Sequence, residues 1–101
     1  MPGTKRKYDK HIKVTVDGLE VTVLGNALTD MRTVYLMGKI SDDSVDDGQK
    51  LRWYMLLLDT VFEEEVFDIM EALAKLQGGH VDAESFAGFF ARVLEAVEAK
   101  N

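Results

Sequence analysis

The chain has 101 residues, 47% of them hydrophobic and 30% charged, which is the composition of one globular domain and not of a disordered chain. It contains no Cys, so a disulfide framework and thiolate metal sites are excluded. The net charge of −6 is uneven. Lys5, Arg6, Lys7, Lys10 and Lys13 against Asp9 give the first 13 residues +4, and the remainder carries −10. An acidic body repels phosphate backbones, so nucleic-acid binding is not expected as the main role.

In chain order, residues 1–10 read as a basic disordered tail, polar and without periodicity. From His11 the pattern alternates. Ile12, Val14 and Val16, then Leu19, Val21 and Val23, give each of two strands one apolar face. Asp17-Gly18 between them suits a type I′ two-residue turn, which predicts a β-hairpin over 11–24. Such a hairpin is marginal alone, so helices must cover its apolar face.

The helical body is expected over 26–100. Asn26 or Thr29 is the predicted cap of a first helix, with Leu28, Met31, Val34, Tyr35 and Ile40 as its buried stripe. SDDSVDDG (41–48) is a loop. Counting calcium-loop positions from Asp43 puts Val45 third and Tyr54 twelfth, and counting from Asp42 puts Trp53 twelfth, so the EF-hand spacing is absent. Asp46 and Asp47 instead suit the positive end of the next helix.

That helix, from near Asp47 to about Asp59, contains most of the apolar stretch LRWYMLLLDTVF (51–62). At about 100° per residue, Leu51, Tyr54, Leu57, Leu58 and Val61 gather on one side. Arg52 and Asp59 mark the other, with Thr60 towards its edge. The run Tyr54–Leu58 is too short to span a bilayer, so a soluble intracellular protein without a membrane partner is expected. Thr60 and Glu63 fit a capping box, which places a break before a third helix, although one continuous long helix stays open. Val66, Ile69, Met70, Leu73 and Leu76 form the third stripe, and Gly78-Gly79 ends it. Asp82 caps the last helix, with Val81 and Phe86 as a hydrophobic staple and Phe86, Phe89, Phe90, Val93, Leu94 and Val97 as its stripe. The predicted fold class is mainly α (α+β), an N-terminal β-hairpin followed by a compact bundle of about four helices in a single domain (11–101).

Residues for chemistry are scarce. His11 and His80 stand alone, with no metal-ligand spacing around them, and the acidic runs serve as helix starts. No catalytic, metal or cofactor site is expected, and the chain is not read as an enzyme. Interaction residues are better represented. Trp53 and Leu56 fall outside the buried face of the second helix and Phe67 on the edge of the third, so these three are the candidate partner-binding residues. Met31, Met37, Met55 and Met70 add side chains that repack readily.

This order of elements resembles the small tail assembly chaperones of long-tailed bacteriophages and prophages. HIKVTVDGLEVTV corresponds to their extended start, LRWYMLLLDTVF to their mid-chain apolar helix, and VDAESFAGFFARVLEAVEA to their final helix, over residues 11–100. The resemblance is one of pattern and order and not of a diagnostic motif. It implies a non-enzymatic protein of the bacterial host cytoplasm, absent from the finished virion. Such a protein binds and solubilises the tape measure protein, helps recruit tail tube subunits and self-associates. The family often has a longer frameshifted product, and Ala99-Lys100-Asn101 is compatible with a slippery run of codons. The alternatives are a small acidic regulatory module that sequesters a protein partner, and nucleic-acid binding through the basic tail.

Overall fold

The computed structural model describes residues 10–100, so the proposed basic tail, apart from Lys10, lies outside the described residues. Two antiparallel strands, β1 (His11–Val16) and β2 (Leu19–Leu24), form the hairpin in a register that opposes Val16 to Leu19 and Ile12 to Val23. Asp17 and Gly18 take φ of 54° and 84°. These are the two positive values of a type I′ turn, whose twist matches that of the strands it joins. Ile12, Val14, Val16, Val21 and Val23 are buried.

Four α-helices follow: α1 (Met31–Ile40), α2 (Asp47–Val61), α3 (Val66–Leu76) and α4 (Ala83–Lys100). α1 packs on α2, α4 lies against β1, and α2 and α3 both reach β2. The core is the apolar face of the hairpin closed over by α2, α3 and α4, with Leu58, Val61, Phe62, Leu73, Phe89 and Val93 wholly excluded from solvent. Phe90 joins α2 to α4, its ring centroid 6.0 Å from that of Tyr54 and 5.7 Å from that of Phe62. Burial pushes the Tyr54 hydroxyl above its usual pKa.

The last helix follows the sequence closely. Asp82 Oδ1 accepts the Ser85 N–H at 2.8 Å, and Phe86, Phe89, Phe90, Val93 and Val97 are buried. Val81 packs partly buried against the core, as a staple residue does. Gly78 and Gly79, with φ of 90° and 106°, end α3.

Three local expectations are corrected. First, residues 25–29 form a short 3-10 turn, and the cap of α1 is Asp30, whose carboxylate accepts the Arg32 N–H at 2.8 Å. Asn26 and Thr29 do not cap. The helix starts at Met31, and the face it turns inward is not the expected one. Thr33, Leu36, Met37 and Ile40 then share an arc of about 100° towards the core, and Met31, Val34 and Tyr35 face out. Second, α2 continues through Thr60 to Val61. The Thr60 hydroxyl donates back to the Leu56 carbonyl at 2.9 Å and is buried, so there is no capping box with Glu63. Glu65 occupies the cap position of α3 without a side-chain cap bond. Third, Leu51 and Leu76 are exposed, because each lies near an end of its helix where the core does not extend.

The break between α2 and α3 is real, and β2 explains it. In this register Thr22 turns its N–H and carbonyl to the outer edge of the hairpin. Glu63 N–H donates to Thr22 O at 3.0 Å, and the Thr22 N–H donates to the Glu64 carboxylate, 3.0 and 2.9 Å from its two oxygens. Phe62 pairs with Val23 as a single antiparallel bridge. The four-residue linker thus completes one edge of the sheet, which a continuous helix could not do.

Candidate functional site

α1 and α2 carry most of the large exposed apolar side chains of the described chain, with Phe67 and Leu76 standing apart on α3. The loop between them is built from Asp and Ser. Asp42 Oδ1 accepts the Ser44 hydroxyl at 2.7 Å and its N–H at 2.9 Å, and these bonds hold the Asp42 carboxyl below its ordinary pKa. Asp46 then caps α2 by accepting the Gln49 N–H at 3.0 Å. This tight connection sets the two helices side by side. Because α1 turns Leu36 inward and Met31 and Tyr35 outward, a groove of about 580 Å³ opens between the helices.

Met31, Tyr35 and Leu36 form one wall of the groove, and Trp53, Leu56 and Thr60 the other. Met31 is 73% exposed, Tyr35 59% and Leu56 52%. Lys39 links the walls, its Nζ 5.5 Å from the Tyr35 ring centroid and 5.6 Å from that of Trp53. A cation shared by two aromatic faces favours this placement of both rings. Arg32 also lines the groove, its guanidinium paired with the Asp30 carboxylate by bonds of 2.9 and 2.6 Å. The surface is apolar and aromatic with cationic margins. Chemically it can desolvate the apolar face of a helix or hold a bulky side chain.

Of the three candidate partner-binding residues, Trp53 and Leu56 meet in this groove. Phe67 does not. It stands on α3, 69% exposed, and lines no part of the groove. Met31 and Tyr35, assigned from the sequence to the buried stripe of α1, are instead groove residues. The signal that could have found them is helical projection, in which Ile40 falls about 120° or more from Met31, Val34 and Tyr35 and shares an arc with Leu36 and Met37.

Elsewhere, His11 Nδ1 lies 3.3 Å from Glu63 Oε1, and His80 is exposed in the loop before α4. Among the described residues no group of three His, Cys, Asp or Glu side chains is placed to hold a metal ion, and no helix is long and apolar enough to cross a membrane. In comparisons with known proteins, the chain matches no family model, no curated protein and no solved structure.

Proposed function

We propose that this chain is a non-enzymatic assembly chaperone of a long-tailed bacteriophage or prophage, which holds a helical segment of the tape measure protein in the groove between α1 and α2. One observation carries the proposal. Two helices joined by a well-capped loop leave Met31, Tyr35 and Leu56 more than half exposed beside Trp53, a cost in solubility that a partner helix would remove. The order of hairpin, acidic helical body and mid-chain apolar helix supports the same role by resemblance. Recruitment of tail tube subunits, residence in the host cytoplasm and absence from the finished virion follow from it as parts of the proposal.

The test is coexpression with the long helical protein encoded in the same gene cluster. Wild-type chain should bring that protein into the soluble fraction and copurify with it. Alanine at Trp53 and Leu56 together should cut copurification by about tenfold or more, since the loss of two interface anchors costs well over 1.4 kcal/mol. Unchanged binding and solubility would sink the proposal. Capture of a basic globular protein in place of a long helical one would favour the acidic regulatory module.

A further inference from the structure

The rest of the chain treats the two edges of the hairpin differently. On β2 the outward N–H and carbonyl of Thr22 are taken up by Glu64 and Glu63, and Phe62 bridges to Val23. The register sets Lys13 opposite Thr22, His11 opposite Leu24 and Thr15 opposite Glu20. Residues in such pairs exchange no hydrogen bond and point their N–H and C=O groups away from each other. Lys13, His11 and Thr15 therefore turn three N–H and three C=O groups to the outer edge of β1. The bond from Gly25 N–H to the Lys10 carbonyl, 2.8 Å, fixes the same phase one residue earlier. Among the described residues no hydrogen bond reaches those six backbone groups, and all three residues are exposed.

A row of unpaired donors and acceptors at this spacing calls for an extended backbone as its complement. The side chains narrow the choice. Lys13 is the charged residue at the centre of the edge, and among the described residues it has no ion-pair partner. The carboxylates nearby are engaged or lie elsewhere. Asp17 is held by Arg92, Glu63 stands beside His11, Glu64 accepts from Thr22, and Glu20 is across the sheet on β2. On the inner face Ile12, Val14 and Val16 are buried, with α4 lying against β1. We propose that the open edge of β1 takes up an extended segment of a partner protein as a third strand, one in which carboxylates alternate with apolar residues. Its main chain pairs with His11, Lys13 and Thr15, a carboxylate stands beside Lys13, and its apolar residues extend the inner face. A second copy fits this edge worse, because antiparallel pairing of β1 with itself about Lys13 sets two lysines directly opposite each other. The inference rests neither on the α1–α2 groove nor on the phage role.

The probe is a peptide with blocked ends, Thr-Val-Glu-Val-Glu-Val-Thr, titrated to millimolar concentration into the isotope-labelled full chain. The same peptide with Lys in place of Glu is its counterpart. The glutamate peptide should shift the amide resonances of His11, Lys13 and Thr15, slow their exchange with water, and leave those of Trp53 and Leu56 in place. It should bind about threefold tighter than the lysine peptide, as a favourable cross-strand charge pair implies. Lys13→Glu should reverse that order, since it keeps the backbone edge and inverts the charge. Lys13→Pro should abolish binding with the hairpin retained, because an edge position whose N–H faces solvent is where a strand tolerates proline.

No shift at the three edge amides, or shifts centred on the groove or on β2, would overturn the proposal. So would a peptide preference that Lys13→Glu leaves unchanged, or binding that persists in folded Lys13→Pro. Edge amides already protected in a dimer of the free chain would give the edge to a second copy and overturn it as well. Should Lys13→Pro fail to fold, the charge reversal in Lys13→Glu carries the test alone. Failure of the tape measure capture experiment would leave these outcomes unchanged, so the two proposals fail separately.

Discussion

Glu64 shows how much one side chain can hold at a sheet edge. The outward N–H of Thr22 lies in a partly buried position and donates to both oxygens of the Glu64 carboxylate. Removing the acceptor strands that donor, and a stranded buried amide costs about 1–3 kcal/mol. Glu64→Ala should therefore lower the unfolding free energy by about 1–2 kcal/mol. Glu64→Gln, which keeps one carbonyl acceptor in place, should lose well under half of that. Urea unfolding of the two variants measures the difference. Equal losses would mean that the charge or the packing of the stem, and not the hydrogen bond, is what counts. Thr33 presents the opposite case, since its hydroxyl oxygen is buried with no hydrogen-bond partner among the described residues. Sequence reading missed both residues for one reason: each is a polar group whose partner, or lack of one, is decided by tertiary placement.

At the scale of elements, starts and stops written in the chain decide more than the apolar stripes do. α4 begins where Asp82 accepts the Ser85 N–H, and that bond holds the Asp82 carboxyl below its ordinary value of 3.8. A carboxyl depressed in the folded state adds stability that is fully present above its unfolded pKa and is lost as pH falls through the folded value. Asn caps a helix about as well as Asp but does not titrate. Asp82→Asn should thus match wild type in thermal midpoint near neutral pH and fall less steeply than wild type below pH 3.8. Parallel curves for the two proteins through that range would rule out a contribution from the cap.

The same cap logic marks where the fold was legible. The hairpin, its Asp17-Gly18 turn and the whole of α4 could be read because turn chemistry, cap and periodicity agree there. In α1 the periodicity of Leu28, Met31, Val34 and Tyr35 is misleading, since a 3-10 turn separates Leu28 from the helix and the inward face is that of Thr33, Leu36, Met37 and Ile40. Half of the groove was hidden by that error. Its other half, Trp53 and Leu56, was visible as apolar residues on the polar side of α2.

The hairpin and helices must stand or fall together, because neither has a core of its own. The inward face of the strands is covered only by helices, and α4 reaches across to β1, where Arg92 pairs with Asp17 at the hairpin turn by bonds of 3.2 and 2.5 Å. That ion pair is exposed and screened, so the attachment rests on the buried phenylalanines beneath it. Phe89 is wholly excluded from solvent, with its ring 5.8 Å from that of Phe86. Phe89→Ala should cost about 3–5 kcal/mol, against a total of roughly 5–15 kcal/mol for a domain of this size. The variant should then unfold at a much lower urea concentration than wild type. Two probes test whether the loss is global: Trp53 fluorescence reports on α2, and amide exchange of Val14 and Val21 reports on the hairpin. Coincident loss of both signals is the expected outcome, because a two-stranded hairpin has no independent stability to fall back on. Hairpin amides that stay protected after the helical signal has gone would mean that the strands form a separate folding unit, and that the helices are held by contacts other than the buried face of α4.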